Sequence, residues 1–294
     1  MEFLKNYQLE VDPQEVSKST DEIIRKSKES GNIDTLKLLF SLIDLTSLNG
    51  NDTQSKIADM TQKVSWFNKV FPDMPNVAAI CVYPLLVPVV KKHLTASNVG
   101  IASVAAGFPA SQTFLDVKTL ECKRAVIEGA TEIDTVITLG EFLEGNYDYT
   151  YREVAAEKEA CEDAHLKIIL ESGSLRSMKE IRIASLVSME AGADFIKTST
   201  GKTEPAATPE AVYVMCCAIR DYYQKTGRMV GIKPAGGIIT ASDALIYYQI
   251  VKTVLGEKWL NNRWFRLGAS RLANNLLTDI VKMQNPSAQP VNYF

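Results

Sequence analysis

The sequence predicts an α/β protein, a (β/α)8 TIM barrel with an N-terminal helical extension. From Phe40 onward eight short apolar runs recur, each followed by a polar turn and then by a longer stretch of helical period. The runs are nearly continuous in hydrophobicity, as expected of parallel strands buried on both faces. From Asp44 in the first run to Gly268 in the last the mean spacing is about 32 residues, which suits a strand, loop, helix, loop unit of roughly 30. A chain of 294 residues accommodates one barrel of about 250 residues with short extensions.

Taken in order, residues 1–36 read as an N-terminal helical extension, with Thr20 as the expected N-cap of a short helix ending near Gly31. Residues 37–285 form the barrel, with strand candidates at 40–46, 77–83, 100–106, 132–138, 166–172, 194–200, 229–235 and 265–270. Between them, TFLDVKTLECKRAVIEGA reads as an amphipathic helix that buries Leu115, Leu120, Ala125 and Ile127 and stops at Gly129. The segment after Ala207 starts with Thr208 as N-cap and Pro209 at the first helical position, and it ends at Gly227. Residues 286–294 form a C-terminal tail. A doubly wound sheet is the structural alternative, but the first strand leads into LTSLNGNDTQ, which holds neither a dinucleotide-binding nor a P-loop glycine pattern.

Composition excludes several classes. Hydrophobic residues make up 46% and charged residues 23%, an ordinary globular balance. A net charge of −3 with both signs interspersed favours neither nucleic acid nor an anionic membrane as partner. The start lacks an apolar signal core and no apolar run approaches 18 residues, so the expectation is a cytoplasmic protein. Five cysteines without paired spacing, Cys81, Cys122, Cys161, Cys216 and Cys217, read as reduced buried thiols. Cys81, at a strand end, could face a site or the core. His93 and His165 are the only histidines and belong to no ligand cluster, so no metal is expected.

In a barrel of this kind chemistry sits at the carboxyl ends of the strands. Lys197 closes the sixth apolar run and Lys233 the seventh. At equivalent heights on strands about 4.8 Å apart, their ammonium groups would approach each other. Like charge and desolvation would lower at least one pKa and yield a neutral amine able to attack a carbonyl, the chemistry of a Schiff-base enzyme. Asp134 lies inside the fourth run and needs a cationic partner, either as a proton relay or as a buried ion pair. Asp44 and Thr46 share one side of the first strand and could meet substrate hydroxyls. Glycine-rich loops follow strands six to eight: STGK with Gly201 and Lys202, PAGG with Gly236 and Gly237, and LGAS with Gly268 and Ser270. Such loops commonly hold phosphate through backbone N–H groups and a helix N-terminus.

The stretches LIDLTSLN, AAICVYP, IASVAAGFP, GATEIDTVI, ADFIKTSTGK, GIKPAGGI and RLGAS, in order over about residues 40–275, resemble deoxyribose-phosphate aldolase, a class I aldolase family. The resemblance implies an enzyme of deoxyribonucleotide catabolism, a lyase without metal or organic cofactor. Its reaction is the reversible cleavage of 2-deoxy-D-ribose 5-phosphate to D-glyceraldehyde 3-phosphate and acetaldehyde. By motif it implies Lys197 as the Schiff-base nucleophile, Lys233 as its pKa-lowering neighbour and Asp134 as the relay carboxylate. Asp44, Thr46 and Thr200 match substrate positions, and Gly201, Lys202, Gly236, Gly237, Gly268 and Ser270 match the phosphate cradle. Arg271 departs from the bacterial pattern, where a small hydroxyl residue is common. Other Schiff-base aldolases or transaldolases, and a noncatalytic scaffold that kept the barrel, are the alternatives. The expected partner is a phosphorylated sugar, with a possible homo-oligomer. Tyr293 in the tail either reaches the barrel mouth or packs against outer helices or a neighbouring subunit.

Overall fold

The computed structural model describes residues 1–294 and contains eight parallel strands with helices between them. The strands are β1 (Ile43–Thr46), β2 (Ala79–Val82), β3 (Gly100–Val104), β4 (Glu132–Val136), β5 (His165–Ile169), β6 (Phe195–Lys197), β7 (Gly231–Lys233) and β8 (Leu267–Ala269). Each pairs with its neighbours in chain order, and β1 also pairs with β8. At the last seam Arg266 N–H donates to the Ile232 carbonyl at 3.0 Å and Gly268 N–H to Pro234 at 2.9 Å. The sheet thereby closes into a barrel, the fold that the spacing predicts.

The extension comprises α1 (Pro13–Ser27) and α2 (Ile33–Ser41). Asp12, not Thr20, is the N-cap of α1: its carboxylate accepts from Gln14 N–H at 2.9 Å, with Pro13 at the first helical position. Thr20 sits mid-helix and buried, its hydroxyl returned to the Val16 carbonyl. The spacing of Val16, Thr20, Ile23 and Ser27 gives α1 one buried face. The expected boundary at 36/37 falls inside α2.

The remaining helices are α3 (Gln54–Val70), α4 (Val87–His93), α5 (Leu115–Glu128), α6 (Leu139–Leu143), α7 (Tyr147–Ala160), α8 (Met178–Glu190), α9 (Pro209–Thr226), α10 (Ala241–Val254) and α11 (Leu272–Gln284). Helix α1 lies across α9 and α10, outside the barrel. Helix α9 starts and ends as its sequence predicts, with the Thr208 hydroxyl accepting from Ala211 N–H and Gly227 left-handed at φ 70°. Helix α5 does not follow its expected polarity. It buries Lys118, Cys122 and Ala125, whereas Leu120 and Ile127 are 67% and 63% exposed. Of the expected stripe, Ala125 stays buried, whereas Leu120 and Ile127 face outward. No helix is long and apolar enough to cross a membrane.

Inside the barrel, Phe195 of β6 pairs in register with Gly231 of β7. A Cβ on Gly231 would stand 2.3 Å from the Phe195 ring, so only glycine leaves room for this ring. Gly231→Ala should therefore destabilise the fold by about 1–3 kcal/mol, read as a lower melting temperature. An unchanged melt would show that the ring relocates freely.

Candidate active site

Asp134 stands at the centre of a buried ion network. Its Oδ2 accepts from Lys197 Nζ at 2.8 Å and from Lys233 Nζ at 2.7 Å, and its Oδ1 from Lys167 Nζ at 3.0 Å. Asp44 meets Lys233 at 2.5 Å and Arg266 at 2.7 Å. Glu132 meets Lys167 at 2.5 Å and Arg266 at 2.8 Å. Parallel pairing brings these groups together: Lys197 is in register with Lys233, and Asp134 with Lys167. Residues directly opposite in neighbouring strands project to the same face.

Three carboxylates thus face four basic groups. With every acid ionised, one base must be neutral for the charges to balance. Burial lowers the Lys197 pKa; Asp134 opposes that shift, and the Lys233 charge adds to it. For Lys233, burial acts against the charge, but Asp134 and Asp44 outweigh it and hold the ammonium well above its usual range. Lys167 is likewise raised, because Asp134 and Glu132 outweigh its burial. On Asp134, burial is opposed by all three lysines, which keep the carboxyl well below its usual range. Of the three lysines, Lys197 is the one whose charge the surroundings disfavour. Its neighbour Lys233 contributes to the depression, but burial contributes more.

A cavity of about 450 Å³ opens at the carboxyl ends of the strands. Of the network, only Lys197 lines it. Thr46, Thr200, Gly201, Lys202, Gly236, Gly237, Gly268 and Ser270 line it too, so the residues proposed from the sequence for phosphate do converge on one space. Asp44 does not; it lies beneath, held by Lys233 and Arg266. Thr46 turns its hydroxyl to the Asp44 carbonyl at 2.7 Å. Lys202 Nζ donates to the Leu48 carbonyl across the mouth. Gly236 is left-handed at φ 83°, and a Cβ there would stand 2.6 Å from that of Ala206. Arg271 lines the cavity at the start of α11.

Cys81 is buried beside Ala79, Ala102 and Val104, and burial raises its thiol pKa, as suits a core thiol. All five cysteines are free thiols. Tyr293 packs on Phe67 and Phe71, and its hydroxyl donates to the Lys63 carbonyl at 2.8 Å. It is therefore Phe294, not Tyr293, that reaches the cavity wall.

A family model described as "DeoC/LacD family aldolase" matches residues 38–255. The chain is 44% identical over 270 residues to a putative deoxyribose-phosphate aldolase of Caenorhabditis elegans, covering 90% of this chain and 88% of that protein. It is 43% identical over 248 residues to the deoxyribose-phosphate aldolase of Homo sapiens, covering 80% and 77%. The crystal structure of a putative deoxyribose-phosphate aldolase from Coccidioides immitis superposes with a TM-score of 0.69 at 28% identity, over 91% of this chain and 98% of that one. The chain belongs to the DeoC/LacD aldolase family.

Four residues of this aldolase's site escape sequence reasoning. Lys167, Glu132 and Arg266 complete the ion network, and each stands in an apolar strand run where a charge is costly. That cost was the available signal. Glu171, buried and left-handed at φ 49°, accepts from Thr200 N–H at 3.1 Å and from the Thr200 hydroxyl at 2.6 Å. It ties the glycine loop after β6 to the end of β5, and nothing in its sequence neighbourhood marks it.

For the aldolase, Lys233→Leu should move the pH midpoint of imine formation upward. The reactive amine is the deprotonated form, present above the Lys197 pKa, and removing the Lys233 charge removes one cause of that pKa's depression. The check is the pH dependence of trapping a simple aldehyde with cyanoborohydride. An unmoved midpoint would make Lys233 electrostatically irrelevant to Lys197.

Proposed function

We propose that this protein is a class I deoxyribose-phosphate aldolase that cleaves 2-deoxy-D-ribose 5-phosphate reversibly to D-glyceraldehyde 3-phosphate and acetaldehyde through a Schiff base on Lys197. One observation carries the assignment of the nucleophile. Lys197 is the single member of the ion network that opens to the cavity, and its amine is the one whose charge the surroundings disfavour. The relatives' activity and the phosphate-suited loops support the substrate. A noncatalytic scaffold has no use for a depressed amine at the cavity wall, and the human and nematode relatives favour this substrate over those of other Schiff-base aldolases.

The chemistry follows from the geometry. The neutral Lys197 amine attacks the C1 aldehyde of the open-chain sugar to give a carbinolamine. Lys233 and Asp134, both in hydrogen-bond reach of one another and of the Lys197 nitrogen's surroundings, supply the proton with which hydroxide leaves as water. The resulting iminium is an electron sink. Loss of the C3 hydroxyl proton to the relay drives the C2–C3 bond electrons into it, releasing glyceraldehyde 3-phosphate and leaving an enamine on Lys197. Protonation of that enamine at carbon and hydrolysis of the imine free acetaldehyde and regenerate the amine. In the same cavity, Lys202, Arg271 and the backbone of Gly236, Gly237 and Gly268 suit a phosphate. Binding energy spent there orients C1 against Lys197. No step of this sequence uses a metal or an organic cofactor. A cytoplasmic location and a catabolic role in deoxyribonucleotide breakdown belong to the same reading. So does a homo-oligomer, because exposed apolar side chains gather on the outer face of α5.

Borohydride with acetaldehyde should inactivate the enzyme and place the adduct on the peptide that contains Lys197. An adduct on a different lysine, with Lys197 intact in the inactivated protein, overturns the assignment. Asp134→Asn should lower kcat by about 10²–10⁴-fold. It should also lower the melting temperature, since three lysines lose their shared counter-charge. A melting shift alone, with wild-type kcat, would reduce Asp134 to a structural ion-pair partner.

A further inference from the structure

A second cavity, of about 230 Å³, lies between the loops after β5 and β6, where the N-termini of α8 and α9 come together. Its wall is largely apolar, with Leu175, Met178, Ile181, Ala206 and Ala211 on it. Every polar side chain that lines it can donate a hydrogen bond, and no carboxylate does so. Ser172 is 5% exposed, and its hydroxyl has no hydrogen-bond partner, a cost that a bound acceptor removes. Ser177 and Thr208 cap α8 and α9 by accepting from Glu180 N–H and Ala211 N–H at 3.2 Å, which leaves both hydroxyl protons to donate. Arg176 gives Nε and Nη2 to Glu180 and the Leu143 carbonyl, with Nη1 uncommitted.

We propose that this cavity is an effector site for a small aliphatic carboxylate. The headgroup takes the Ser172 hydroxyl and the donors of the two helix N-termini, and the hydrocarbon chain covers the apolar wall. Two positive helix ends select an anion and reject an ammonium. A phosphate dianion suits the wall less, because its further oxygens would face leucine, isoleucine and alanine side chains without partners. The effect on catalysis rests on the phosphate role given to the neighbouring glycine loops, since the two cavities share walls. Ser172 follows Glu171, which holds Thr200, and Ser172 N–H donates to the Thr198 carbonyl at 2.8 Å. Ala206 lines the second cavity and also abuts Gly236, where a Cβ would stand 2.6 Å from its own. The loops after β5 and β6 touch so closely that a Cβ on Gly173 would meet the Pro205 carbonyl oxygen at 1.9 Å. A carboxylate wedged beside that contact braces both Thr200 and Gly236. Such coupling is reciprocal, so the occupant tightens phosphate binding and phosphate tightens the occupant.

Isothermal titration calorimetry of the full chain with hexanoate, with and without inorganic phosphate, tests the site. Hexanoate should bind, more tightly when phosphate is present, and hexylammonium should not. Ser172→Ala should weaken hexanoate at least about tenfold, as for a lost hydrogen bond to a charged group. Arg176→Ala, at the exposed side of the cavity, should weaken it as well, and both variants should keep the wild-type circular dichroism spectrum and, without hexanoate, the wild-type kcat. Saturating hexanoate should lower the KM for 2-deoxy-D-ribose 5-phosphate by about fivefold and leave the borohydride trapping of acetaldehyde on Lys197 unchanged. Absence of binding overturns the site, as does equal binding of hexylammonium or an affinity that neither substitution moves. Displacement of hexanoate by phosphate places it in the catalytic cavity and overturns the site too. An unchanged or raised KM overturns the effector role. The calorimetric outcomes do not depend on turnover, so a chain without aldolase activity would sink the proposed reaction while the site is still decided by binding.

Discussion

A carboxylate sealed in a barrel interior must be matched by cations, and Asp134 is matched by three lysines drawn from three different strands. This requirement fixes much else. It demands that β4, β5, β6 and β7 hold a common register, because the three amines reach one carboxylate only if Lys167, Lys197 and Lys233 project inward at compatible heights. It brings in Glu132, Asp44 and Arg266, since three cations around one anion would leave uncompensated positive charge. The arrangement stops one charge short of neutrality. Four bases against three acids makes one amine dispensable as a cation, and the site with the least anionic support is Lys197, which touches a single carboxylate. Lys233 touches two and Lys167 lies within 4 Å of three. Counting partners thus singles out Lys197 as the amine proposed to react, and burial adds to the same preference.

Catalysis also needs a direction, and the cavity supplies it. Lys197 and the glycine loops after β6, β7 and β8 line the same cavity. On the proposed reading, a phosphate held by these loops would leave the sugar's carbonyl to meet the amine. The loop end depends on backbone shape. Gly236 takes a left-handed conformation against Ala206, and a Cβ on Gly268 would come within 2.7 Å of Ala235. Glu171 holds the β6 loop from behind while itself in a left-handed conformation that costs a non-glycine residue of order 1–3 kcal/mol. That strain is sustained because Glu171 is buried and bonded twice to Thr200.

The barrel was legible because strand and helix periods differ and recur eight times, and Lys197, Lys233 and Asp134 were legible because charges terminate or interrupt apolar runs. The same signal was present at Lys167, Glu132 and Arg266. It was obscured there because a charge early in a strand resembles a solvated end, and Glu132 and Arg266 each stand at or next to one. Asp44 shows the opposite limit: its strand and face were readable, but its depth was not. Depth depends on which cations reach it from β7 and the residue before β8, contacts separated in sequence by nearly the whole chain. The N-cap of α1 was misassigned to Thr20 because a hydroxyl before a charged run mimics a cap; Asp12 with Pro13 gives the stronger signal. Tyr293 could not be placed from the tail's length, since reach does not specify direction. Asn274 does, by accepting from Tyr293 and Phe294 N–H groups at 2.9 Å.

The polarity of α5 connects the outer surface to the active site. Thr138 ends the segment that carries Asp134, and its N–H donates to Glu153 at 2.9 Å while Lys118 binds both Thr138 and Glu153. Thr135, the residue after Asp134, is held on the outer side of β4 by Glu157 at 2.7 Å. The strand bearing the central carboxylate is therefore gripped from inside by lysines and from outside by carboxylates. Lys118 is the cation that makes the outer grip electrostatically tolerable. To reach Glu153 it must occupy the inward face of α5, where the sequence pattern would place a leucine. Leu120 and Ile127 are displaced outward by that choice. Exposed apolar side chains on the surface of this helix follow from anchoring β4.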